Sequence, residues 1–269
     1  MKHTLLCLLA VTSLWLYGQP AKPLASYNLS SIDQMYVDQF QNIYVVIGPE
    51  LRKYDPTYQQ LYSFSNPIKG NISQADVLNA MNPYIFYKDW NEVVVVDNRL
   101  NASTAINFNN YGFLDVQFIS FADQYNVWFY DQATDKLYKF NLPSKKVVNQ
   151  SLNITQLIGS ENQPEGMVST INKVYFNVPE KGILVFDALG ALQKTIPVKD
   201  VSHLSVQGKE LYYIQKDDLF FYDLSTGKIQ PLTYEVTQPQ AIRVSGNKLY
   251  LKTAKGISVY ALPTPDISK

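Results

Sequence analysis

Between about residue 24 and residue 262 the chain alternates apolar and polar positions with period two, in short runs broken by polar turns, as half-buried antiparallel strands require. The clearest unit is Val174-Tyr175-Phe176-Asn177-Val178, a turn at Pro179-Glu180-Lys181-Gly182, and Ile183-Leu184-Val185-Phe186-Asp187. Taking Tyr175 and Phe186 as markers, the same register returns at Tyr44 and Tyr54, Ile85 and Val96, Trp128 and Phe140, Tyr212 and Tyr222, and Tyr250 and Tyr260. The step from copy to copy averages about forty residues, the length of a four-stranded propeller blade. One such unit cannot bury its own apolar face, so neighbouring copies must stack. The pattern predicts an all-β chain forming a single β-propeller of six four-stranded blades.

The last copy offers only three strands, Ala241 to Ser245, Lys248 to Thr253 and Ile257 to Leu262, whereas an extended segment, Leu24 to Leu29, precedes the first copy. That segment is expected to supply the missing outer strand and close the ring, removing an open edge. Asp55, Asp97, Asp187 and Asp223 each end a third strand just before a reversal, with Gly190 and Gly227 a few residues on. Asp there can accept hydrogen bonds from turn backbone and Gly can take positive φ, so these residues are read as turn formers. Tyr44, Trp128, Tyr175, Tyr212 and Tyr250 are read as core, filling the space between sheets.

Composition refines the picture. Met1 to Gln19 holds Lys2, an apolar run from Leu5 to Leu16 and a small residue at Gly18, the pattern of a secretory signal, which leaves 20–269 for the propeller. Cys7 lies inside the apolar run rather than after it, so no lipid anchor is expected. Beyond the signal, 22 basic residues face 23 acidic ones, a net charge near −1 that argues against nucleic acid as a partner. No later segment is apolar enough to span a membrane, and no Cys remains to form a disulfide. The expected setting is periplasmic or extracellular, in a bacterium.

Repeats such as Ile43-Tyr44-Val45-Val46 with Leu51-Arg52-Lys53-Tyr54-Asp55, and Lys173-Val174-Tyr175-Phe176 with Ile183-Leu184-Val185-Phe186-Asp187, resemble those of NHL- and YVTN-type propellers over nearly all of residues 24–262. The resemblance implies the fold. It spans binding scaffolds as well as lactonases and lyases, so it leaves function open.

Candidate chemistry is sparse. His203 is the single imidazole beyond the signal, and neither a Gly-x-Ser-x-Gly elbow nor a Gly-rich phosphate loop occurs. The loops expected to lead into the innermost strands carry Asp33, Asp76, Asp115, Glu165, His203 and Arg243, a ring rich in carboxylates at one channel mouth. The plain reading of that ring is solvated strand ends facing a water-filled channel; loops on the same face add Lys88-Asp89-Trp90 and Lys216-Asp217-Asp218, with Trp90 read first as a packed loop anchor and otherwise as the best candidate contact for a partner. Two readings follow. One is an exported, non-enzymatic scaffold or subunit of a cell-envelope assembly that offers this face to a protein partner and needs no cofactor. The other is a metal-dependent hydrolase or lactonase-like enzyme in which Glu165 and Asp115 ligate a divalent cation such as calcium and His203 moves the proton. Lactonase-type propellers bind their metal near such a place.

Overall fold

The computed structural model describes residues 20–262 apart from Ser30 and Glu161; the signal-like stretch, 1–19, lies outside the described residues. The strands form six antiparallel four-stranded sheets. In chain order, the first blade holds β2 (Gln34–Val37), β3 (Ile43–Ile47), β4 (Glu50–Tyr54) and β5 (Gln60–Ser65). The second holds β6 (Gln74–Asp76), β7 (Tyr84–Tyr87), β8 (Glu92–Val96) and β9 (Ala102–Asn107), and the third β10 (Val116–Asp123), β11 (Asn126–Asp131), β12 (Lys136–Asn141) and β13 (Lys146–Gln150). The fourth holds β14 (Gly166–Ser169), β15 (Lys173–Val178), β16 (Gly182–Asp187) and β17 (Leu192–Ile196), and the fifth β18 (Val201–Gln207), β19 (Glu210–Gln215), β20 (Asp218–Asp223) and β21 (Ile229–Leu232). The sixth sheet runs β22 (Ala241–Ser245), β23 (Lys248–Thr253), β24 (Gly256–Ala261) and then β1 (Ala25–Asn28), so the first strand completes the last blade, as the sequence led one to expect.

Closure is built at close range. Ala25 to Asn28 pair with Val259 to Gly256. Gly256 sits at φ 131°, and a Cβ there would lie 2.0 Å from the Tyr27 carbonyl oxygen. No side chain fits between the two strands, which is why glycine opens β24. Tyr27 stacks on Tyr58 at 4.1 Å and Tyr58 on Tyr54 at 4.5 Å, binding the closing strand to the first blade. Upstream, Ala21 bridges Tyr234 and exchanges backbone hydrogen bonds with Thr233 and Glu235.

Each interface between neighbouring blades holds its own apolar cluster, so the core is six wedges rather than one centre. Tyr44, Ile85, Trp128, Tyr175, Tyr212 and Tyr250 are all buried in these wedges, each stabilising its interface by about 2–3 kcal/mol. The turn reading also holds. Asp55 Oδ1 accepts from Thr57 and Gln59 N–H, Asp97 Oδ1 from Arg99 and Asn101, and Asp187 Oδ1 from Leu189 and Ala191, all between 2.8 and 2.9 Å. Gly190 and Gly227 take the positive φ that closes two of these reversals; in the Asp55 and Asp97 turns Tyr58 and Leu100 take it instead.

Candidate functional site: a two-ended central channel

The six innermost strands β2, β6, β10, β14, β18 and β22 surround a cavity of about 740 Å³ to which each contributes lining residues. Each such strand turns one edge of unpaired N–H and C=O groups to the axis, and polar side chains answer them across blade boundaries. The Gln74 amide donates to Ile119 O at 2.6 Å and accepts from Ile119 N at 3.1 Å. Tyr36 Oη accepts from Ala75 N, and Ser205 Oγ from Val244 N. Ser169 donates to Ser120 and Phe121 O. Much of the channel's polarity is therefore structural.

Strand pairing fixes the height of each residue along the channel. Tyr36, Ser120, Val168, Ser205 and Arg243 lie opposite Tyr44, Trp128, Tyr175, Tyr212 and Tyr250, and Ala75 opposite Ile85, so these six share one middle level. Above it, at the proximal mouth where the inner strands begin, stand Asp33, Lys88, Glu165, His203, Gln240 and Lys252; below it the lining turns aliphatic with Val37, Val77, Leu78, Val206 and Val244.

This register corrects the expected carboxylate ring. Asp33, Glu165 and His203 are at the proximal mouth. Asp76 is not: it ends β6, where its carboxylate accepts from Leu78 N at 3.0 Å, Phe121 N at 2.8 Å and Ser120 Oγ at 3.3 Å, tying the second blade to the third. Arg243 is also not a mouth residue but lies at the middle level. Asp115 does not reach the cavity lining; its carboxylate accepts from Gln117 and its N–H donates to Asp131 Oδ1 at 2.8 Å. Bulges within β10 and β18 shift the starts of those strands against their neighbours, which a regular two-residue period does not reveal. The lining carries three carboxylates, Asp33, Asp76 and Glu165, against three cations, Lys88, Arg243 and Lys252. Among the described residues no group of three His, Cys, Asp or Glu is gathered closely enough to hold a metal ion, and of the two first-choice ligands Glu165 lines the cavity whereas Asp115 does not.

Trp90 ends a single 3₁₀ turn, Lys88–Trp90, between β7 and β8. Its Nε1 donates to Lys69 O at 3.0 Å and its ring carries the Lys69 ammonium at 4.6 Å, while Lys69 also pairs with Glu92 at 2.8 Å. It is an anchor for the connector between the first two blades, away from the cavity lining.

Burial dominates the electrostatics of the upper and middle channel, and charges of both signs modify it. Burial pushes the Arg243 guanidinium down, against the pull of Tyr36 and Asp76, and pushes the Lys252 ammonium down against Asp33. The surrounding protein, then Arg243 and Lys252, lower His203 to about 4, so its imidazole is neutral at pH 7 although channel water reaches it. Burial raises the Asp76 carboxyl.

The distal rim, where the inner strands turn into their neighbours, holds residues the sequence reading passed over. Phe40, Leu78 and Met81, Tyr125, and Ile171 occupy this turn in four consecutive blades and are between 45% and 64% exposed. The fifth and sixth blades have Gly208-Lys209 and Gly246-Asn247 there. A signal existed: Phe40, Met81 and Ile171 each stand four residues before the core markers Tyr44, Ile85 and Tyr175, where Gly208 and Gly246 stand before Tyr212 and Tyr250.

No family model matches the chain, and no curated protein matches it. Solved structures do. A propeller chain of a mitotic checkpoint complex superposes with a TM-score of 0.66 at 7% identity, over 98% of this chain and 99% of that one. The Pan2 WD40 domain of Neurospora crassa gives 0.59 at 10% identity, over 87% and 80%. Virginiamycin B lyase of Staphylococcus aureus gives 0.60 at 11% identity, over 86% and 80%. These likenesses establish the fold, a six-bladed propeller with both WD40 and lyase neighbours, and at such identities they carry nothing further.

Proposed function

We propose that this chain is an exported, non-enzymatic propeller whose distal rim binds a protein partner, as a scaffold or subunit of a cell-envelope assembly. One observation carries the reading: four consecutive blades place an exposed apolar side chain at the same turn, over an aliphatic channel end. Single exposed apolar residues are ordinary on any surface, but recurrence at one structural position around a rim is the chemistry of a surface that is covered in use. The partner it suits presents an apolar ridge of its own. The WD40 likenesses support this, one of them being a propeller within a multi-protein complex. Export rests on the signal-like pattern of Met1 to Gln19. The non-enzymatic part rests on the sequence, in which neither a Gly-x-Ser-x-Gly elbow nor a Gly-rich phosphate loop occurs.

The test is crosslinking and affinity purification of the full-length tagged chain from its source cell, beside a variant carrying Phe40→Ser, Met81→Ser and Ile171→Ser. A stoichiometric protein partner that the variant loses, while keeping its circular dichroism, is the expected result. A partner retained by the variant, or a chain recovered alone, contradicts the reading.

A further inference from the structure

We propose that the upper channel is a binding site for a small organic monocarboxylate with an apolar body, its carboxylate held by Arg243 and Lys252 and its body directed to the aliphatic layer below. This site is separate from the distal rim and does not depend on it.

Two cations of the upper channel, Arg243 and Lys252, are poorly compensated. Arg243 lines the cavity and is part-exposed to it. One N–H donates to the carbonyl of Ile242 at 2.7 Å, and the guanidinium lies over the Tyr36 ring, 5.1 Å from its centroid. No ion pair to it is found among the described residues. Asp76, the nearest carboxylate acting on it, is already occupied by two backbone N–H groups and a Ser hydroxyl. Lys252 is buried and donates to a neutral oxygen, Gln240 Oε1, at 2.8 Å. A cation withdrawn from water without a contacting anion is costly, and a ligand carboxylate relieves that cost. The flat guanidinium fork suits a planar two-oxygen acceptor.

Asp33, Asp76 and Glu165 face the same cavity, so every negative charge on a ligand meets their repulsion, and a monoanion meets half as much of it as a dianion such as phosphate. Arg243 is followed directly by Val244, which with Val37 and Val206 forms the aliphatic layer, so a ligand held at the guanidinium has apolar wall beneath it. A volume of about 740 Å³ is in the usual range for small-molecule sites. Neutral His203 beside these cations can give or take one hydrogen bond without adding charge.

The experiment is isothermal titration of the mature chain at pH 7 with four probes: phenylacetate, its neutral isostere phenylacetamide, acetate and inorganic phosphate. Saturable 1:1 binding of phenylacetate is expected, with phenylacetamide and acetate each weaker by about tenfold or more, the loss of a charge-assisted contact or of apolar burial. Arg243→Gln should cost about tenfold or more in phenylacetate affinity, and Lys252→Gln a smaller but measurable factor. Should Arg243→Gln not fold, Arg243→Lys and Lys252→Gln decide. Equal binding of the amide, tighter binding of phosphate, unchanged affinity in the folded variants, or no saturable binding of phenylacetate would each overturn the assignment.

Discussion

The two mouths of one channel are made from the same six strands and differ in kind. The proximal mouth is polar and charged, with Asp33, Lys88, Glu165, His203 and Lys252 around an opening that leads down to Arg243. The distal mouth is aliphatic within and carries exposed Phe40, Leu78, Met81, Tyr125 and Ile171 at its rim in the first four blades only. The difference teaches where a propeller keeps its freedom. Stability lies in the wedges between blades and in the closing strand, so strand ends can diverge: one end can read charge while the other offers apolar contact.

The change expected to break the comparison outright is at closure. Gly256→Ala places a methyl 2.0 Å from Tyr27 O at a φ that side chains rarely adopt. It should cost about 3–5 kcal/mol in urea unfolding and remove both mouths together, since neither survives an open ring. A loss under about 1 kcal/mol would mean the ring does not depend on β1.

Next comes the tie at mid-channel. Asp76→Ala leaves the N–H groups of Leu78 and Phe121 without their acceptor and should cost about 2 kcal/mol, read in the same unfolding experiment. The distal rim should keep its partner if the two ends are independent.

Burial of the His203 imidazole near Arg243 and Lys252 has a pH signature. The folded chain holds His203 at about 4 and the unfolded chain at its ordinary 6.5, so between these values the unfolded state binds the extra proton and stability falls as pH drops from 6.5 toward 4. His203→Gln should flatten that part of a melting-temperature profile. Asp76, raised by burial, contributes the opposite slope above its ordinary value and cancels when variant and parent are compared. Identical profiles would show that neither burial nor the neighbouring cations hold the imidazole below its ordinary value in the folded chain.

The smallest effect on stability belongs to the distal rim. Phe40→Ser with Met81→Ser should change unfolding free energy by less than about 0.5 kcal/mol, because both side chains are already in water. A large loss would show that the rim is core, not contact surface.

Much of the fold was legible in the sequence because alternation and spacing are what a blade is made of: the Tyr175 and Phe186 register located all six sheets, and the shortage of a fourth strand after Leu262 pointed to β1. The site was less legible. Alternation says which face a residue takes, but height along the channel depends on where each inner strand starts. With β6 only three residues long and bulges in β10 and β18, Asp76 fell just below the middle level and Asp115 out of the lining. Trp90 was an aromatic on a loop, and nothing in its neighbourhood in sequence announced Lys69, 21 residues away, as its partner. The demand for glycine at 256 comes from β1 lying against it, a contact between the two ends of the chain. Tyr36 belongs to the first blade and Arg243 to the last, and only ring closure brings them together.

The account's central claim, that the two mouths have separate tasks and the distal one meets a protein, is tested most directly by site-specific photo-crosslinking in the source cell. A photo-crosslinking amino acid is placed at position 40 or 125 on the distal rim, or at position 90 on the proximal face. One protein captured from positions 40 and 125 and not from 90 is the predicted result. Capture of that protein from position 90 alone, or of none from the distal rim, would contradict it.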